Sequence, residues 1–134
     1  MNMIRPITDN TFQTIGNTPL VRLNNVVPAG SADVYVKMEM FNPTASYKDR
    51  MALAMIEEAE KRGDLTPGMT VVEYTGGSTG SSLAFVCAAK GYHFQVVCSD
   101  AFAQEKLRTM EAFGAELKIE PSDGGLITPE PVSY

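Results

Sequence analysis

The chain has 134 residues, 44% of them hydrophobic and 20% charged, which is the composition of an ordinary globular unit rather than a disordered or fibrous one. Its formal net charge of -5, with no cluster of Lys and Arg, argues against a nucleic-acid partner. No apolar run approaches membrane-spanning length and Met1 to Asn10 has no apolar signal core, so the expectation is a cytoplasmic protein acting on a small molecule.

The turn-rich segment Ile15-Gly16-Asn17-Thr18-Pro19 leads into Leu20-Val21-Arg22-Leu23, and a loop through Pro28, Gly30 and Ser31 follows. This start reads as an arm. Val34, Val36 and Met38 then alternate with Tyr35, Lys37 and Glu39, the period of a half-buried strand, which Asn42-Pro43-Thr44 ends. Ser46 and Asp49 have the spacing of a capping box and predict a helix from about Ser46, with Gly63 as its C-terminal cap.

Thr70 to Tyr74 predicts a strand running directly into Thr75-Gly76-Gly77-Ser78-Thr79-Gly80, and a helix is expected from about Ser81 to Lys90 with Gly91 as its stop. His93 to Cys98 reads as a buried strand, Leu107, Met110 and Phe113 as the apolar face of a third helix, and Glu116 to Glu120 as a final strand. Strands alternating with helices predict an α/β fold, a parallel sheet covered on both faces by right-handed crossovers. From Pro121 to Tyr134 prolines and the Gly124-Gly125 pair replace periodicity, as in a linker cut short.

Two places could carry chemistry. Lys48 stands where a strand has ended and a helix begins, so its amine lies in the positive end of the helix field, which disfavours the ammonium form and suits a nucleophilic amine. An exposed lysine in a first helical turn is the plainer alternative. The turn Thr75 to Gly80 could gather backbone N–H groups and the hydroxyls of Thr75, Ser78 and Thr79 on an anion, or it could simply be a tight strand-to-helix turn. It lacks the Lys-Ser/Thr pair of a nucleotide phosphate loop, because Ser81 follows Gly80.

His93 has no nearby Cys or second His, so no metal is expected, and Cys87 and Cys98 lie in apolar stretches as core thiols. Glu57, Glu58, Glu60, Lys61 and Arg62 read as a solvated helix face.

Three segments together resemble the fold-type-II pyridoxal-phosphate family, in its cysteine synthase and cystathionine β-synthase branch. They are Ile15 to Leu23, Asn42-Pro43-Thr44-Ala45-Ser46-Tyr47-Lys48-Asp49-Arg50, and Glu73-Tyr74-Thr75-Gly76-Gly77-Ser78-Thr79-Gly80. The resemblance implies a three-layer α/β domain at residues 33-120, an arm at 1-32 that belongs to a larger domain, and a truncated linker at 121-134. It implies that Lys48 holds pyridoxal 5'-phosphate as a Schiff base, that Ser78 stands where the family's asparagine contacts the cofactor, and that Thr75, Gly76, Gly77, Ser78 and Thr79 bind the substrate carboxylate. Gly76 replaces the family's serine.

The activity implied is β-replacement, O-acetylserine and sulfide giving cysteine and acetate. A lyase or dehydratase of the same fold is the alternative within the family, and a non-catalytic fragment the alternative outside it, because the family's cofactor-phosphate loop falls beyond these segments. A homodimeric full-length parent is implied. An exposed apolar face is expected where a missing half would pack.

Overall fold

The computed structural model describes residues 7–123. A short 3-10 turn, Thr11–Thr14, opens it, and β1 (Leu20–Arg22) pairs antiparallel with β2 (Tyr35–Lys37), Val21 opposite Val36. The alternation at 34 to 38 does make a strand, but every residue of β2 is exposed, so the half-buried reading is corrected. The two-stranded ribbon has no layer of the described residues packed over it to bury one side.

Helix α1 (Lys48–Arg62) carries Ala52 and Ile56 four residues apart on its inner face, Asp49 in its first turn and Lys61 and Arg62 in its last, charges that suit the helix dipole at both ends. Gly63 ends it in the left-handed conformation at φ 79°, returning its N–H to Ala59 and Glu60. Strand β3 (Thr70–Tyr74), helix α2 (Ser78–Lys90), strand β4 (His93–Ser99), helix α3 (Gln104–Ala112) and strand β5 (Glu116–Glu120) then alternate. Helix α2 starts at Ser78, earlier than the predicted Ser81, so Ser78, Thr79 and Gly80 form its first turn.

The three strands form a parallel sheet in the order β3-β4-β5, with Glu73 beside Val96 and Val96 beside Leu117. Two successive right-handed crossovers in one direction put α2 and α3 on the same face. On that face Phe94, Val96 and Cys98 of β4 meet Leu83, Cys87, Leu107 and Met110 in one buried cluster, which Ala52 and Ile56 of α1 join. The opposite face carries Val72 and Tyr74, 56% and 48% exposed, so the described residues leave part of it uncovered.

Candidate cofactor and substrate site

The Lys48 segment is shaped by its own backbone. Ala45 lies in the left-handed region at φ 58° and its N–H closes a turn on Asn42 O at 2.8 Å, three residues before the lysine. Ser46 Oγ accepts from Lys48 N–H at 3.1 Å. The expected capping box does not form: Asp49 turns away from Ser46 and accepts hydrogen bonds from Thr44 N–H at 2.8 Å, from Thr44 Oγ1 and from Ser82 Oγ at 2.6 Å. Two hydroxyls and an amide satisfy the carboxylate better than the single backbone N–H that a box would offer. Lys48 itself is half-buried, its Nζ 5.0 Å from the centre of the Tyr47 ring and without an ion pair among the described residues.

Thr75, Gly76 and Gly77 form the turn between β3 and α2, where Thr75 Oγ1 accepts from Gly77 N–H at 3.4 Å and Thr75 N–H donates to Val97 O at 3.0 Å. Ser78 and Thr79 occupy the first turn of α2, whose leading N–H groups have no carbonyl four residues back within the helix. Close approach explains two glycines here. A Cβ on Gly80 would lie 2.6 Å from Met110 Cε and 2.8 Å from Thr75 Cγ2, and one on Gly76 would lie 2.0 Å from Phe102 Cγ. Gly77 faces open space instead, with no atom within 4 Å of a Cβ.

Asp49 joins the two places, because its carboxylate at the start of α1 reaches Ser82 in the second turn of α2. The N-terminal ends of both helices therefore lie side by side, at the end of the sheet where β3 gives way to the Thr75 turn. A second network holds the arm. Arg50 donates from Nε and Nη2 to the two oxygens of Glu39 at 3.0 and 2.9 Å, Thr18 Oγ1 adds a bond at 2.6 Å, and Asn42 bonds both Glu39 and Gly16 N–H at 2.8 Å. The Arg50 guanidinium, with the Thr18 hydroxyl, holds the Glu39 carboxyl down at about 2.

Sequence reading missed Ser82 and Phe102, which belong to no motif and meet the site only through folding. Glu60 is also a correction to the solvated-face reading, since it accepts from Lys90 Nζ at 2.8 Å and Tyr92 Oη at 2.9 Å. Cys87 and Cys98 are free and buried as expected, and burial pushes the Cys87 thiol up to about 11. A groove of 610 Å³ between α1 and β3 is lined by Met55, Ile56, Leu65, Met69 and Val71 among others and includes neither Lys48 nor the Thr75 turn.

The family model for the pyridoxal-phosphate dependent enzymes matches residues 11–127, most of the chain. The chain belongs to that family. A cysteine synthase of Staphylococcus aureus is 52% identical over 119 residues, covering 89% of this chain and 38% of that protein. Cysteine synthase B of Escherichia coli is 46% identical over 114 residues, covering 85% of this chain and 38% of that protein. Among solved structures, O-ureido-L-serine synthase superposes with a TM-score of 0.83 at 44% identity, covering 90% of this chain and 39% of the other.

O-acetyl serine sulfhydrylase isoform 3 of Entamoeba histolytica superposes at 0.82 with 37% identity, covering 90% and 37% respectively. This member of the pyridoxal-phosphate dependent family thus spans well under half the length of the relatives it matches, and aligns with the parallel α/β part of their fold. Among the described residues no helix is long and apolar enough to cross a membrane. The residues present fit the family's cofactor. An amine without an ion pair among the described residues can condense with an aldehyde, and the hydroxyls of Ser78 and Thr79 stand at the start of the neighbouring helix.

Proposed function

We propose that the chain supplies the lysine-bearing part of a pyridoxal-phosphate dependent β-replacement enzyme resembling cysteine synthase, taking O-acetylserine and sulfide to cysteine and acetate. The observation that carries this reading is the half-buried amine of Lys48, without an ion pair among the described residues, on a segment tied by Asp49 and Ser82 to the helix that follows the glycine turn at Thr75–Thr79. Lys48 would hold the cofactor through its amine and, once released by the incoming amino acid, accept the proton from the substrate's α-carbon. The cofactor when bound supplies an electron sink for the charge left on that carbon.

In this reading the backbone of Gly76 and Gly77 and the hydroxyls of Thr75, Ser78 and Thr79 orient the substrate carboxylate, and Ser78 also contacts the cofactor. The positive end of α2 favours that carboxylate. Residues 33-120 form the working α/β unit, 1-32 an arm docked on a larger domain and 121-134 a linker, in a cytoplasmic homodimer. The arm's docking is supported by Leu20, 62% exposed on β1.

Borohydride reduction with pyridoxal phosphate, followed by peptide mapping, tests the assignment. Label on Lys48 that disappears in Lys48→Ala is expected; label confined to another lysine sinks it. Cysteine formed from O-acetylserine, measured against keto acid released from serine, separates β-replacement from the lyase or dehydratase reading. The span of 38% of the cysteine synthases favours one further reading, a folding unit without activity of its own. Equilibrium dialysis of the isolated chain with cofactor decides it, since tight binding with a Schiff-base absorption band contradicts a silent fragment.

A further inference from the structure

Phe102 stands in the loop that leaves β4, its backbone N–H bonded to Ser99 O at 3.1 Å. Strands β3 and β4 are parallel neighbours ending at Tyr74 and Ser99. The Thr75 turn and the Phe102 loop therefore lie side by side at the carboxyl edge of the sheet, the edge at which open α/β sheets receive ligands. The Phe102 ring packs on the buried core cluster and lies against the end of β3. Its centre lies 6.2 Å from that of Tyr74, and a Cβ built on Gly76 would meet its Cγ at 2.0 Å and its two Cδ atoms at 2.1 and 2.5 Å.

A side chain at 76 and the ring of Phe102 cannot share this space. The backbone of Gly76 has no left-handed φ, so the demand for glycine comes from the ring alone. Beside it the room at Gly77 is open. The aromatic ring thus fills the space beside one residue of the turn and leaves it open at the next, and it carries neither a hydrogen-bond donor nor a charge.

We propose that Phe102 is a specificity-determining residue of the amino-acid site, its ring filling the room of a side chain at 76 and restricting the space beside the turn to amino acids with a compact β-substituent. The inference rests on the amino-acid reading of the Thr75–Thr79 turn. Phe102→Ala removes the ring and Phe102→Leu leaves a smaller side chain in its place.

The full chain loaded with pyridoxal phosphate is titrated with O-acetyl-L-serine, which is compact, and O-benzyl-L-serine, which is bulky, and the cofactor absorbance is followed. In Phe102→Ala the preference shifts toward the bulky ligand by about tenfold or more, as for other changes of pocket volume, with Phe102→Leu between. An unchanged ratio of affinities overturns the proposal. Melting of the cofactor-free chain gives a second readout: Gly76→Ser lowers the melting temperature, and adding Phe102→Ala recovers most of the loss. Strictly additive losses overturn the steric pairing on which the proposal stands. Folded wild-type chain that takes no borohydride-stable label at Lys48 defeats the amino-acid reading itself, whereas a labelled protein with an unchanged ratio defeats only the role of Phe102.

Discussion

Ser82 Oγ donates a 2.6 Å hydrogen bond to the Asp49 carboxylate across thirty-three residues of sequence, and neither residue exposes any surface. With Thr44 supplying an amide and a hydroxyl, Asp49 accepts three hydrogen bonds that no neutral side chain of its size can accept together. Asp49→Asn is expected to cost about 2 to 4 kcal/mol and Ser82→Ala about 1 to 2 kcal/mol, because each leaves buried polar groups unpaired. Urea unfolding of the two single variants and the double variant checks this, with the double costing less than the sum.

Acid should loosen the arm before it unfolds the core. Glu39 is held down at about 2 by Arg50 and Thr18, against an ordinary value of 4.5. A carboxyl depressed in the fold contributes stability that is fully present above its unfolded value and lost as pH falls through the folded one. The contribution is therefore complete above about pH 5 and lost on acidification toward pH 2. Glu39→Gln should flatten the acid limb of the stability profile in that window while leaving the neutral limb parallel to wild type, as measured by melting temperature against pH.

Gly80→Ala sets two effects against each other. A methyl group gains up to about 1 kcal/mol of helix propensity, but here it would sit 2.6 Å from Met110 Cε and 2.7 Å from Met110 Sδ. Crowding of that kind costs about 1 to 3 kcal/mol in a packed core, so net destabilisation is expected. Gly77→Ala, with open space around it, is expected to stay within about 0.5 kcal/mol of wild type. The two unfolding midpoints should separate accordingly.

Both cysteines should be silent toward alkylation in the native chain. Burial raises the thiols of Cys87 and Cys98, Cys87 to about 11, so at neutral pH neither presents thiolate at a surface. Iodoacetamide followed by mass spectrometry should show no modification in buffer and two sites in urea. Rapid native labelling at Cys87 would contradict the packing of α2 against β4.

Local features of this protein were legible in its sequence. The strand at Thr70–Tyr74, the glycine stop at Gly63 and the position of Lys48 at a helix start each depend on a few adjacent residues, and backbone propensity and turn chemistry act at that range. Helix α2 begins at Ser78, three residues before the expected Ser81, although Gly80 in its first turn is a poor helix former. Its packing against Met110 overrides that weak preference.

By itself, then, the sequence determined the alternation of strands and helices, the place of Lys48 at a helix start and the makeup of the turn. Only the tertiary structure decided that Asp49 bonds Thr44 and Ser82 rather than capping its own helix, and that Phe102 fills the room beside Gly76. Both outcomes are competitions between one local partner and several distant ones. They are settled by which groups the packed helices and the parallel sheet bring within reach, a quantity that no short stretch of residues contains.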